Sequence, residues 1–412
     1  LDPRWNVDVF KPDSIDPIED PVSKIISSIK HPIGSQPLED IIKNRTQLKS
    51  ICIVVSDATR PVPSHYIIEA LVRILKENNI KYDQITILIA TGLHRRSTEQ
   101  DYDRIVGPSL KNQIKIISHD AKKDDELIFM GISQNAIPIY INKYYIESDL
   151  RILTGYVEPH FFFGFSGGSK SIVPGIAGQI TIQENHSAKN IASQYARFGM
   201  YDQNPLTKNS LEIAEKVGTD FVVNVCINKD HKVVEVAAGD LVKVHNYLVE
   251  FQLKRVFKKI KKPYDIVICG NGGYPLDLNL YQAVKSMALG EIAVRKGGTI
   301  ISVNECVEGI GIGQDKFKDL LFSGLTPTDV NQKILNEEIV VPDQWEIQVL
   351  ARVLQKAEII LISKLMKKEI GNIGLKHASD LKKAIESSVK KHGNNARILI
   401  LPNGPQIIPL LS

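Results

Sequence analysis

The chain has 412 residues, 43% of them hydrophobic and 24% charged, and a formal net charge of +4. That length exceeds what one hydrophobic core serves, and the composition is that of a globular protein rather than a disordered or fibrous one. The charge is spread over both halves without an aromatic–basic stripe, which argues against a nucleic-acid partner, and no apolar run reaches the roughly 18 residues of a membrane span.

Short β-branched runs alternate with amphipathic segments along the chain. ICIVVSD (51–57) predicts a strand, HYIIEALVRILKEN (65–78) a helix and ITILIATG (85–92) a second strand. IKIISHD (114–120), LRILTG (150–155), a helix around Leu211–Val217 and FVVNVCI (221–227) follow. The basic run Lys254–Lys262 reads as a solvated helix end entering a linker. Beyond it come DIVICG (265–270), TIISV (299–303), EIILIS (358–363) and RILILPNG (397–404), with helices between them. Apolar runs joined by helical crossovers predict an α/β architecture of two Rossmann-like three-layer domains with mostly parallel sheets. The boundary is expected near Lys262–Tyr264, giving an N-terminal domain 1–262, a C-terminal domain 263–412 and a site in the cleft between them. The four cysteines (Cys52, Cys226, Cys269, Cys306) are widely spaced and read as reduced core residues. LDPRWNVDVF is no signal peptide and lacks an initiator methionine, so the numbering is expected to start inside the natural chain, and a cytoplasmic location is expected.

Polar residues gather where the predicted strands end. Asp57, Ala58, Thr59 and Arg60 follow the first strand, His94 the second, and His160 the strand ending at Thr154-Gly155. Asn271, Gly272 and Gly273 follow the first strand of the second half. Ligands of open parallel sheets bind outside the carboxyl ends of the strands. The SDATRP turn reads either as ribose and phosphate recognition or as a helix cap, with Asp57 or Thr59 ahead of a helix starting near Pro63. His94, beside Arg95 and Arg96, reads as a neutral general base or as an exposed loop residue. His160 precedes Phe161, Phe162 and Phe163, which predict an apolar wall around it.

EPHFFFGFSGGSKSIVPG (158–175) is glycine-rich enough for backbone amides to approach an anion, and a lone lysine, Lys170, ends its glycine run. A P-loop has glycine directly before its lysine; Ser169 stands there instead, so an ATP-phosphate cradle is not expected. His186, in ENHSAK, has no His or Cys at helical or knuckle spacing. A protein-only zinc site would need distant partners, and a metal completed by an organic cofactor is the alternative. In the second half Asp277 is expected to cap a helix carrying Tyr281, Gln282 and Lys285. Gln282 and Lys285 share a face that binds a small carboxylate or is simply solvated. Trp345, in PDQWEIQVLARVL, is core or the lid of a pocket.

SDATRP, ATGLHRR, EPHFFFGFSGGSKSIVPG, ENHS, NGGYPLD, YQAVK and PDQW, in this order and over nearly the whole chain, resemble the nickel-dependent lactate racemase family. The resemblance implies a racemase or epimerase of 2-hydroxy acids that carries a nickel pincer nucleotide. In that cofactor, a pyridinium mononucleotide bears two thio-acyl arms and holds nickel through S, C and S donors. Attachment at Lys170 and metal ligation by His186 are implied, with His94 and His160 as the two catalytic acid–base groups. Asp57, Ala58, Thr59, Arg60 and Lys285 are implied cofactor contacts, and Gln282, Tyr281 and Trp345 implied substrate contacts. The expected reaction interconverts D- and L-lactate by reversible hydride transfer; malate or a longer 2-hydroxy acid is the alternative substrate. Cofactor-maturation enzymes are implied partners, and a homodimer is compatible. Some family members carry arginine where this chain has Ser169, and the three phenylalanines make a bulky wall. A non-catalytic nucleotide-binding protein is the reading from another class. An NAD-dependent dehydrogenase ranks last, because no G-x-G-x-x-G follows the early strands.

Overall fold

The computed structural model describes residues 2–404 and 406–411. The chain divides into two compact units, neither of them continuous in sequence. One comprises Ser14–His186 and Gly199–Leu253; the other takes the N-terminal segment to Asp13, the segment Ser187–Phe198 and the chain from Lys254 onward. The division thus differs from the single expected boundary near Lys262–Tyr264, and strand pairing supplies the reason. Asn6–Val9 pairs in parallel with Arg397–Leu401, and Phe257–Ile260 with Ile408–Leu411. The basic run Lys254–Lys262 is accordingly no solvated linker: it ends the helix Leu241–Val256 and continues into a paired strand.

In the first unit, six strands form one sheet in the spatial order Val233–Gly239, Phe221–Ile227, Leu150–Tyr156, Ile51–Ser56, Ile85–Ala90, Lys115–Ser118. All neighbours are parallel except the pair at the Val233–Gly239 edge. Counting from the first of these six strands, the order is 6-5-4-1-2-3, the doubly wound arrangement, and its direction reverses between Ile51–Ser56 and Leu150–Tyr156. Ile51 through Val55 are all buried, which is why the run reads as continuously apolar rather than alternating. The helix Ser64–Glu77 turns Ile67, Ile68, Leu71, Ile74 and Leu75 inward, a stripe at the helical period that joins Ile51, Ile53 and Val55 in one core. Truncating Leu71 to alanine would cost about 2–5 kcal/mol through lost burial and the cavity left behind.

The second unit carries a wholly parallel six-stranded sheet in the order Asn6–Val9, Arg397–Leu401, Tyr264–Gly270, Val294–Val303, Glu358–Ile362, Lys376–Ala378. Its order reverses beside Tyr264–Gly270, the strand that leads into Asn271-Gly272-Gly273. All four cysteines are buried and free, as expected. Among the described residues no helix is long and apolar enough to cross a membrane.

Candidate active site

The strands at and beside the reversal of the first sheet end in the loops that carry the sequence-predicted polar residues. The loop after Ile51–Ser56 brings Asp57, and the loop after Ile85–Ala90 brings His94. Asp57 Oδ2 lies 2.7 Å from His94 Nδ1. Asp57 Oδ1 accepts from the Thr59 hydroxyl at 2.8 Å and from the Thr59 amide at 3.3 Å. A carboxylate so placed can only accept, so His94 donates Nδ1–H to it. Burial pushes the Asp57 carboxyl up, but the His94 ring, Arg60 and Thr59 outweigh it and hold the group below the usual carboxylate range.

Arg95 pairs with Asp101 at 2.7 Å, and the Asp57 carboxylate faces the His94 ring. Neither Asp57 nor Thr59 caps the helix Ser64–Glu77, whose N-cap is Pro63 without a side-chain cap bond. The Asp57 carboxylate accepts from both His94 and Thr59, one oxygen serving each. Ala58, the remaining residue of the turn, offers its carbonyl to the Arg104 guanidinium.

His160 sits on a small antiparallel hairpin in which Pro159 pairs with Phe165 and His160 with Gly164. Phe161, Phe162 and Phe163 form its three-residue loop, closed by Gly164 at φ 78°, the left-handed position such loops require. The phenylalanines are 2%, 4% and 1% exposed and form a buried apolar platform. The His160 ring packs on Phe161, Phe162 and Phe163 at centroid distances of 4.9, 4.7 and 6.0 Å. Its Nδ1 accepts from the Phe163 amide at 3.2 Å, which places the proton of the neutral ring on Nε2. The platform gathers two more candidates. Lys170 Nζ lies 4.2 Å from the Phe163 ring centroid, and the His186 ring lies 5.4 Å from Phe162 and 5.7 Å from Phe163. His186 donates Nδ1–H to the Ile182 carbonyl at 2.9 Å. Burial and the nearby Lys170 charge push its pKa down to about 3, so the ring is a neutral Nε2 donor at physiological pH.

The glycine run packs closely against its neighbours. The Gly168 amide donates to Asn224 Oδ1 at 2.9 Å. A Cβ on Gly167 would meet that same oxygen and the Tyr156 carbonyl, and one on Gly168 would meet the His245 ring. His245 Nε2 bonds the Ser166 carbonyl at 2.9 Å. Ser169 is buried and bonded by the Ser210 hydroxyl at 3.1 Å. At the far end of the loop, the Gly92 amide donates to the Gly175 carbonyl at 3.0 Å, tying the His94 turn to the segment that follows Lys170. The residue types alone did not single out Tyr156, whose buried hydroxyl donates to Glu158 near Asp57 and Arg60. The only sequence signal was the place of Glu158 two residues before His160.

In the second unit Asn279, not Asp277, caps the helix Leu280–Ala293, accepting from the Gln282 amide at 3.0 Å. Asp277 instead receives the Glu305 amide at 3.1 Å. The helix is no solvated surface: Tyr281 and Gln282 are buried, and Lys285 Nζ donates to Gln282 Oε1. The Trp345 indole N–H donates to the Tyr281 hydroxyl at 3.2 Å, and that hydroxyl donates to Asp343 Oδ1 at 3.2 Å.

Polar loops at the order reversal of an open parallel sheet mark a doubly wound α/β protein, a class that binds ligands at the carboxyl edge of the sheet. The lactate racemase N-terminal domain family matches residues 1–199, and the lactate racemase C-terminal domain family residues 259–409. A lactate racemase from Thermoanaerobacterium thermosaccharolyticum is 37% identical over 384 residues, covering 92% of this chain and 88% of its own. One from Lactiplantibacillus plantarum is 36% identical over 389 residues, covering 92% and 89%. The solved lactate racemase apoprotein from Thermoanaerobacterium thermosaccharolyticum superposes with a TM-score of 0.89 at 35% identity, over 96% of this chain and 94% of that one. A Thermotoga maritima protein of 20% identity shares the fold at a TM-score of 0.72. The chain belongs to the lactate racemase family.

Proposed function

We propose that this protein is a lactate racemase, an isomerase that interconverts D- and L-lactate with a nickel pincer nucleotide attached at Lys170. The observation that carries the reading is the pair His94 and His160, two imidazoles on loops after different strands of one sheet, with their ring nitrogens held in opposite senses. Racemising a carbon that bears a hydroxyl calls for one group to manage the hydroxyl proton of each enantiomer. His94 takes that proton at Nε2, while Asp57 keeps the ring oriented and stabilises the imidazolium that forms, the role a buried carboxylate plays behind a catalytic histidine. His160 directs Nε2–H toward the substrate oxygen, and its aromatic surroundings keep water away from the exchange.

The residues around Lys170 fit the cofactor. His186 would supply an imidazole ligand to nickel, its Nε2 lone pair set by the Nδ1–H bond to the Ile182 carbonyl, while the organic group would supply soft sulfur donors. Among the described residues no three His, Cys, Asp or Glu side chains cluster to hold a metal, so a metal on His186 would draw its other donors from the organic group. Lys170, against the same rings, would carry the tether, and Arg60 and Lys285 would contact the nucleotide. When bound, the cofactor supplies the hydride acceptor and donor for the lactate Cα–H. Gln282, beside Lys285, would meet the substrate carboxylate.

The test is intact-mass and nickel analysis of protein co-produced with the maturation enzymes, followed by racemisation assays on lactate, malate and longer 2-hydroxy acids. Stoichiometric nickel, added mass at Lys170 that Lys170→Ala abolishes, and preferential turnover of lactate are expected. Full activity without nickel would overturn the reading.

A further inference from the structure

Asp343 occupies the N-cap of the helix Gln344–Lys356, and it behaves unlike the other aspartates in that position. Asp20 and Asp380 each accept a hydrogen bond from the third amide of their helices, at 3.0 and 2.9 Å. That is what an N-cap aspartate ordinarily contributes. Asp343 makes no such cap bond. Its backbone is left-handed at φ 63°, a conformation that strains a residue bearing Cβ, and its side chain is 8% exposed. The chain thus accepts a strained backbone, an uncapped helix and a buried carboxylate at one residue. Each is destabilising, and a glycine would avoid the strain and the buried charge.

In return, the carboxylate fixes a directed chain of hydrogen bonds. Asp343 Oδ1 accepts from the Tyr281 hydroxyl, which can donate only one proton, so the phenol oxygen presents a lone pair to the Trp345 indole N–H. Tyr281 and Trp345 are each 6% exposed, and Phe317 packs edge-on against the Tyr281 ring at 5.4 Å. With both polar hydrogens spent inside the chain, neither aromatic is left to donate to a substrate. Their part is shape and placement. Gln282 follows Tyr281 directly, and Lys285 lies one turn further along the same helix.

We propose that Asp343 is a positioning residue of the reaction, trading local stability to lock Tyr281 and Trp345 and, through them, the helix turn that presents Gln282 and Lys285. This rests on the racemase reading for its kinetic arm but not for its structural one. The experiment compares Asp343→Gly and Asp343→Asn in a Trp5→Phe background, where Trp345 is the single remaining tryptophan of the chain's two. Glycine suits the left-handed backbone and removes the acceptor; asparagine tolerates that backbone and keeps an acceptor oxygen.

For Asp343→Gly, relief of the strained backbone and the buried charge offsets the acceptor lost to the Tyr281 hydroxyl, so the thermal midpoint should change little, while kcat/KM for lactate falls at least about tenfold. In the unloaded protein, Trp345 emission should shift and its quenching by acrylamide should increase. Asp343→Asn should restore emission and most of the activity. Unchanged emission and kcat/KM in Asp343→Gly would overturn the proposal. So would a lowered midpoint shared by both variants, because the residue would then serve the fold alone. If the parent protein turns over no lactate, the emission arm still decides on the Asp343 chain, and the failure falls on the racemase reading instead.

Discussion

His94 and His160 sit on loops of one sheet, yet opposite means hold them. The His94 ring is gripped by a buried carboxylate through Nδ1, in a turn braced by Thr59 and by the Gly92–Gly175 backbone bond. The His160 ring is gripped by a backbone amide through Nδ1 and cushioned on three phenylalanines, over a glycine loop propped by His245 and Asn224. Charge orients the first and shape orients the second. Two groups serving mirror-image substrates need not be mirror images themselves. One is set to accept at Nε2 and the other to donate there, so in this state of the protein they stand at opposite ends of the proton's path.

Substitution at the two rings gives the largest test of that contrast. His94→Ala and His160→Ala should each lower turnover by about 10²–10⁴, the usual worth of a positioned acid or base, while nickel content stays unchanged. Asp57→Asn should separate the two loops. It removes the charge behind His94 and can present an amide N–H where Nδ1–H needs an acceptor, so turnover should fall while the His160 side is untouched. If His160 depends on shape, Phe163→Leu should slow the enantiomer handled by His160 more than the one handled by His94, measured as initial rates from D- and L-lactate. Equal slowing in both directions would break the comparison.

Acid should also separate the two regions in the unloaded protein. Burial holds His245 at about 4 and His186 at about 3, against an ordinary 6.5. Below 6.5 the unfolded chain binds protons that these rings in the fold refuse, so stability falls as the pH drops from 6.5 toward 4. For His245 alone the loss approaches roughly 3 kcal/mol at pH 4 and below. Asp57 shifts in the same direction but acts in a lower window. Its folded pKa lies below 3.8, so its contribution is intact above that value and is lost only as the pH falls further. Urea midpoints should therefore decline through pH 6.5–4 in the parent, and His245→Gln should flatten that decline while Asp57→Asn leaves its slope unchanged.

The sequence made the strand ends legible because buried parallel strands are unbroken apolar runs, and Ile51–Ser56 and Ile85–Ala90 fall within the predicted segments. It could not show that Asp57 and His94, 37 residues apart, would meet, because that depends on which strands are neighbours. The edge strand Val233–Gly239 escaped notice because VVEVAAG interrupts its apolar run with a glutamate and small residues. Asp277 and Asn279 are both good caps, and the bond from the Gln282 amide to Asn279 shows which of them starts the helix. Three consecutive phenylalanines looked like a specificity wall. Because they form a hairpin loop rather than a strand they do not alternate, and all three turn inward.

The smallest effect is expected at Ser169. Its hydroxyl receives that of Ser210, which also reaches the Val173 carbonyl at 3.0 Å. Ser169→Ala leaves Ser210 with that second acceptor, so no buried donor is stranded and the cost should be no more than about 1 kcal/mol. Lys170 is oriented by the Phe163 ring and by the turn bond from its amide to the Gly167 carbonyl, neither of which involves the Ser169 hydroxyl. Ser169→Ala should therefore shift the urea midpoint slightly and leave both the mass added at Lys170 and lactate turnover unchanged. Loss of loading would mean that the hydroxyl, and not the aromatic platform, sets the lysine.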